Sequence, residues 1–357
     1  MKKHVSVVNK KREARYMVAL LIVSAQAAAG KTTIAVGVGR QLLGEGKKVG
    51  YLRPSVSEKP SDSSAGDAEF VGQALDLTEE VRLLSPSLAG GKPLADKARQ
   101  AYIEISQNKD VVIIEGRCGI TPDDADSKAA CEIAEALKAR VIVVENYVGG
   151  KSAPQHAASY LGFGENLLGF VLNKVPKREL KRVCEELTSR VSEAEMRILG
   201  ALPEERALLA FTVGELAEQI NGEMLNNGEE SPALVESVMT GAMCVDSGLD
   251  YFGRKSNKAV VVRHDRPDMQ MAALETATRC LVISGGGGPI DYVRFKAEET
   301  NIPVIMTQHD TDTVIKDIES LLESTRFHQD KKLNKLAEVM QANLDFKAIY
   351  AGLGLAT

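Results

Sequence analysis

The stretch that most limits how this chain can fold is Met17–Leu43, MVALLIVSAQAAAGKTTIAVGVGRQLL. Val18–Ser24 reads as a buried strand, since an apolar run that short, ended by a small-residue turn, suits a strand better than a helix. Gly30-Lys31-Thr32-Thr33 then opens an amphipathic run. A strand turning through Gly-Lys-Thr into a helix is the P-loop arrangement. Its chemistry needs each part. Glycine lets the backbone approach a polyphosphate, and the amides of the loop and first helical turn face its oxygens. Lys31 supplies charge for the outer phosphates, and the Thr32 hydroxyl suits Mg²⁺. The place of the first consensus glycine holds Ala25. The competing reading is an Ala-rich helix start that happens to contain Lys-Thr-Thr.

Further strand and helix patterns alternate behind this opening. Lys47–Pro54 reads as a strand ending at Arg53-Pro54, and polar Ser55–Gly66 as a mobile loop. A helix is expected from Asp67 to about Leu75, and another over Ala95–Gln107. Asp110–Cys118 (DVVIIEGRC) is a buried strand with Glu115 at its carboxyl end, where an acidic residue holds Mg²⁺ or its water. Helix Ala125–Lys138, strand Arg140–Glu145 and strand Leu168–Val175 follow. The last of these ends in Asn173-Lys174, and an Asn amide suits the N6 and N7 edge of adenine. A guanine reader needs an aspartate where this chain has Pro176, so ATP is the expected nucleotide. Asn173 as a plain strand cap is the alternative. Helix Arg178–Glu195 and strand Arg197–Pro203 complete a doubly wound parallel sheet. Ligand is expected at the strand carboxyl ends, where Gly30, Arg53, Glu115 and Asn173 would converge.

A second α/β unit begins near Pro203–Leu209. Thr212–Ile220 opens with a Thr-x-x-Glu capping box. Strand Ala259–Arg263 leads through His264-Asp265-Arg266-Pro267-Asp268 into helix Met269–Thr278, with Asp265-Arg266 read as a local ion pair. Strand Leu281–Ser284 leads through four glycines into Asp291–Glu299, and those glycines fit an anion-binding nest or a tight connection equally well. Strand Val304–Thr307 and helix Thr313–Ser324 close the unit, and Lys331–Phe346 forms an amphipathic tail helix that packs on its own domain or on a second subunit. The expected layout is a flexible basic arm (1–14), a nucleotide-binding domain (15–205), a second domain (206–328) and a C-terminal helix and tail (329–357).

Composition narrows the function classes. The 357 residues are 44% hydrophobic with a net charge of −5, so no global basic field exists to hold nucleic acid. Five scattered cysteines, without a Cys-x-x-Cys, fit reduced thiols used for packing in a cytoplasmic protein. The basic amino end, the apolar run and the Ala-x-Ala imitate a secretory signal, but cleavage there would destroy the strand feeding the P-loop. No stretch approaches the ~18 apolar residues of a membrane span. The five histidines share no zinc spacing, and no nucleophile elbow is present.

These blocks together resemble a known pair of domains. SAQAAAGKTTIAVGVGR, YLRPSV followed by GDAEF, LLSPSL, DVVIIEG and LGFVLNKVP resemble the dethiobiotin synthetase-like P-loop domain, in the version at the amino end of long bacterial phosphate acetyltransferases. TVGELAEQINGEML, MTGAMCVDSGLDYF, VVVRHDRPDMQMAALE and LVISGGGGP resemble a DRTGG domain. The resemblance implies that Ala28, Ala29, Gly30, Lys31, Thr32 and Thr33 hold phosphate. It also implies that Asn173 and Lys174 meet the base, and that Thr32, Asp67 and Glu115 surround Mg²⁺. Lys31 and Arg53 would be the catalytic positions, Arg53 replacing the synthetase lysine that contacts substrate. Arginine is no neutral swap for a compact point charge. Arg117 also adds a bulky cation to the segment that receives the carbamate in the synthetase. Nothing here resembles an acetyltransferase domain, so that reaction is not expected of these residues. The leading expectation is a Mg-ATP-binding regulator or slow ATPase whose DRTGG domain senses a ligand or forms a homodimer or higher homo-oligomer. The alternatives are an ATP-dependent ligase or kinase-like enzyme acting on a small anionic metabolite, and a scaffold whose P-loop has decayed.

Overall fold

A computed structural model describes residues 17–24, 26–55, 62–89, 93–118, 125–149, 161–190, 197–241, 248–324 and 332–355. The basic arm, Ala25, most of the loop after Ser55 and the segment after Cys118 lie outside the described residues, as does the side chain of Arg117. The chain divides into two compact units, 1–204 with 336–357, and 205–335.

In the first unit six strands form one sheet: β1 (Val18–Ser24), β2 (Val49–Leu52), β3 (Val111–Cys118), β4 (Arg140–Asn146), β5 (Leu167–Val175) and β6 (Ile198–Pro203). Their order is β2-β3-β1-β4-β5-β6, and every pairing is parallel. Burial on both faces explains the near-continuous Val, Ile and Leu runs. The order reverses beside β1, so the loop that follows it opens into the crevice where such sheets bind ligands.

Helix α1 (Lys31–Gly44) departs from the amphipathic expectation: Ile34 through Gly39 are all buried. Gly39 meets Leu75 and Ile113 on one side, and the far end of the chain covers another. The tail folds as two helices, Leu333–Asn343 and Phe346–Gly352, and belongs to the first unit from Leu336 onward. Met340 lies against Gly37, where an added Cβ would come within 2.6 Å of its methyl. Leu344 bridges to Gly200 of β6, and Asp345 donates its backbone N–H to the Leu199 carbonyl at 2.8 Å. Helix α2 runs over Asp62–Ala74, beginning five residues before the expected start. Helices α3 (Leu94–Ser106) and α4 (Ala125–Leu137) fall close to the expected spans, and α5 (Lys177–Arg190) begins one residue before its expected start, with 191–195 of that expectation outside the described residues. Cys131 is half-buried and Cys184 is exposed on α5, so packing does not account for every cysteine.

The second unit holds the two-residue strands β7 (Phe211–Thr212), β8 (Glu223–Met224) and β9 (Leu234–Val235). Its main strands are β10 (Ser237–Thr240), β11 (Lys258–Arg263), β12 (Thr278–Ser284) and β13 (Val304–Met306). The sheet order is β10-β11-β12-β13-β8, parallel except for β8. Helix α6 (Val213–Gln219) starts with the expected capping box, the Thr212 hydroxyl accepting from the Glu215 N–H at 3.0 Å while Glu215 accepts from the Thr212 N–H at 2.6 Å. Helix α7 (Gly248–Phe252), α8 (Pro267–Leu274) and α9 (Asp291–Glu299) share one core, while α6 and α10 (Thr311–Ser324) share another. Helix α8 ends at Leu274 rather than Thr278, because Thr278 already begins β12.

Two details of this unit differ from expectation. Asp265 pairs with Arg263 at 2.6 Å and Arg266 with Asp268 at 2.9 Å, where Asp265 with Arg266 was the expected pair. The four-glycine turn uses its first two amides internally, Gly285 donating to the His309 carbonyl and Gly286 to that of Thr307. Those donors tie the turn after β12 to the segment that follows β13, which favours the tight-turn reading over the nest.

Candidate functional site

The turn after β1 is held from three directions. Gly30 takes φ +93° as the cap of α1 and Ala28 takes φ +51°, so the backbone passes through left-handed geometry twice in three residues. Asn173, at the end of β5, donates its amide to the Ala29 carbonyl at 2.8 Å, and its Oδ1 accepts from the Lys174 N–H. Lys174 reaches across to the Ala28 carbonyl at 2.9 Å. On the other side Gln26 accepts from the Asn146 N–H at 2.9 Å. A Cβ on Gly30 would sit 2.3 Å from Asn173 Nδ2, which is why that position needs glycine. Asn173 and Lys174, expected at a base, are thus buttresses of the loop in this structure.

Lys31 begins α1 and donates to the Ser24 hydroxyl at 2.9 Å, while Ser24 donates to the Gln26 carbonyl. The ammonium therefore lies along the inside of the loop, and Thr32 and Thr33 are half-buried on the same first turn. The Thr32 hydroxyl donates to Glu115 Oε1 at 2.9 Å. Glu115 is 3% exposed at the end of β3, the next strand over. Its other oxygen, Oε2, accepts from the Tyr51 hydroxyl at 2.8 Å.

Arg53 completes the cluster. Its Nη1 lies 2.8 Å from Glu115 Oε1 and 3.4 Å from Thr32 Oγ1, and its Nη2 lies 2.8 Å from Asp67 Oδ2 on α2. Burial opposes the charge on Arg53, but Glu115, Tyr51 and Asp67 outweigh it and hold the guanidinium pKa above its usual value. Burial, followed by the negative charge of Glu115, pushes the Tyr51 phenol well above its usual range, so it stays protonated and donates.

Thr32, Arg53, Asp67 and Glu115, scattered over 84 positions of sequence, are thereby brought into one polar cluster beside Lys31. Tyr51 was not anticipated. Its only signal was alternation, which puts residues 51 and 53 on the same side of an extended segment. Two carboxylates and a hydroxyl are hard oxygen donors of the kind Mg²⁺ takes, with water filling its remaining positions. Among the described residues no group of three His, Cys, Asp or Glu is placed to hold a metal, so an ion here would rest on Thr32, Asp67 and Glu115. That set fits Mg²⁺ in chemistry, with the guanidinium of Arg53 already on both carboxylates.

Residues 18–211 match the AAA domain family and residues 215–321 the DRTGG domain family. The phosphate acetyltransferase of Haemophilus influenzae is 24% identical over 344 residues, covering 82% of this chain and 47% of that protein. The phosphate acetyltransferase of Nitratidesulfovibrio vulgaris is 22% identical over 356 residues, covering 91% and 50%. The chain thus spans about half the length of the curated relatives it matches. Among solved structures, the CBS and DRTGG region of Clostridium perfringens pyrophosphatase, complexed with diadenosine tetraphosphate, is 24% identical with a TM-score of 0.28, over 32% of this chain and 46% of that one. The signal recognition particle receptor FtsY of Elizabethkingia anophelis, in complex with GDP, is 16% identical with a TM-score of 0.40, over 57% and 61%. More than half of the sequence falls within the first of the two matched families, so the chain belongs to the AAA domain family, here with a P-loop and followed by a DRTGG domain.

Proposed function

We propose that this chain is a nucleotide-binding regulator whose first unit binds Mg-ATP and turns it over slowly, and whose DRTGG unit senses a ligand or joins two copies in a homo-oligomer. The observation that carries this reading is the convergence of Thr32, Asp67 and Glu115 beside Lys31, at a loop tethered by Asn173. Lys31 and the amides of 28–33 would take the phosphates, and Thr32, Asp67 and Glu115 the magnesium. When bound, the ion would neutralise phosphate charge; positioning the nucleotide falls to the loop and to Lys31. Pro176 leaves guanine without its carboxylate acceptor, which favours ATP.

The ligase reading asks Arg53 to hold an anionic substrate, and in this structure its two terminal nitrogens are bound to the protein's own carboxylates. A cytoplasmic location belongs to the same reading; no helix among the described residues is long and apolar enough to cross a membrane. Calorimetric titration with ATP in Mg²⁺ tests the proposal. The wild type is expected to bind with a micromolar dissociation constant, and Lys31→Ala to weaken it at least about tenfold, or about 1.4 kcal/mol. Equal affinity in the two proteins would remove the P-loop as the binding site.

A further inference from the structure

Glu115 has little room for another partner. Its Oε1 already accepts from Thr32 and Arg53, and its Oε2 accepts from Tyr51. The side chains of Glu115 and Asp67 are only 3% and 11% exposed. Two carboxylates so withdrawn from water repel each other unless a cation lies between them. Arg53 is such a cation, on both carboxylates at 2.8 Å. Its charge is permanent, and its planar fork spans two acceptors at once. Its backbone is also fixed from both sides, the N–H donating to the Leu84 carbonyl at 2.7 Å and the carbonyl accepting from the Ser85 hydroxyl at 3.2 Å. The guanidinium is therefore delivered to the carboxylates by a rigid strand end.

We propose that Arg53 is the built-in counter-cation of the Thr32, Asp67 and Glu115 donor set, and that it lowers metal affinity by competing directly with a divalent ion for those oxygens. Direct coordination by Glu115 and Asp67 requires the guanidinium to leave, so the site has two exclusive states, arginine-in and metal-in. Binding of a metal then costs the protein its Arg53 contacts. The wild type takes a free divalent ion poorly, and the polyphosphate's own negative charge must help draw the metal in and draw the arginine away. The inference rests on the nucleotide reading only for that last step. The competition itself needs no nucleotide.

The test uses Mn²⁺ alone, with free ion followed by electron paramagnetic resonance, on the full chain without nucleotide. Arg53→Ala is expected to bind one Mn²⁺ at least tenfold more tightly than the wild type, and adding Glu115→Gln to that variant should abolish the gain. Arg53→Gln, which keeps a hydrogen-bond donor near Glu115 but removes the charge, should show the same gain and serves if the alanine variant does not fold. A wild type that binds Mn²⁺ as tightly as either variant overturns the proposal, as does a gain that survives Glu115→Gln. ATP titration separates the two readings. Mn²⁺ gain without ATP binding sinks the nucleotide function alone, whereas Lys31-dependent ATP binding without the gain sinks this inference alone.

Discussion

At the scale of single residues, the polar cluster works because both oxygens of its most buried carboxylate have donors. That group is Glu115, nearly inaccessible and satisfied by Thr32, Tyr51 and Arg53 together. Removing one donor leaves a buried acceptor short of a partner, and that penalty exceeds the net worth of an average hydrogen bond. Tyr51→Phe keeps the ring packing and deletes only the hydroxyl that serves Oε2. Urea denaturation is expected to show a loss of about 1–3 kcal/mol. A loss within error of zero would mean that water reaches Oε2 and the site is more open than the geometry implies. Gly30 and Asn173 form a second coupled pair: the positive φ and the 2.3 Å approach both call for a residue without a side chain.

At the scale of elements, α1 carries the site but does not stand on its own packing. A helix with three glycines and two valines among its 14 residues covers little area per residue, so it needs close neighbours on more than one side. Gly39 admits Leu75 and Ile113, and Gly37 admits Met340 from the tail. Met340 is 1% exposed and packs the tail helix against Gly37 of α1. Met340→Ala opens a cavity there, and equilibrium denaturation should register a loss of about 2–5 kcal/mol. Hydrogen exchange in α1 should rise along with it. Unchanged exchange in that helix would show that the tail contributes nothing to the stability of the nucleotide loop.

At the scale of the whole molecule, two units with separate cores should unfold as two transitions. ATP binds only the native P-loop unit in the proposed function. At a hundred times its dissociation constant it should stabilise that unit by about 2.7 kcal/mol and leave the other melt where it was. Differential scanning calorimetry with and without Mg-ATP reads both. A single transition that moves as one would show that the units are energetically joined, and two unmoved transitions would count against nucleotide binding.

Much of this architecture is written in local pattern. The strand before Gly30, the capping box at Thr212 and the alternation of apolar runs with helical spacing depend on neighbours within a few residues, and each appears close to its expected place. Glu115 at a buried strand's end was legible for the same reason. What local pattern could not carry was pairing across long sequence separation. The partner that Arg53 chooses, the turning of Asn173 onto Ala29 and the burial of α1 by residues some three hundred positions later depend on which strands become neighbours. Sequence by itself determined the elements and the donors that a phosphate site requires. Only tertiary structure decided that a guanidinium would lie between the carboxylates, because a buried charge takes the counter-ion that the fold brings nearest.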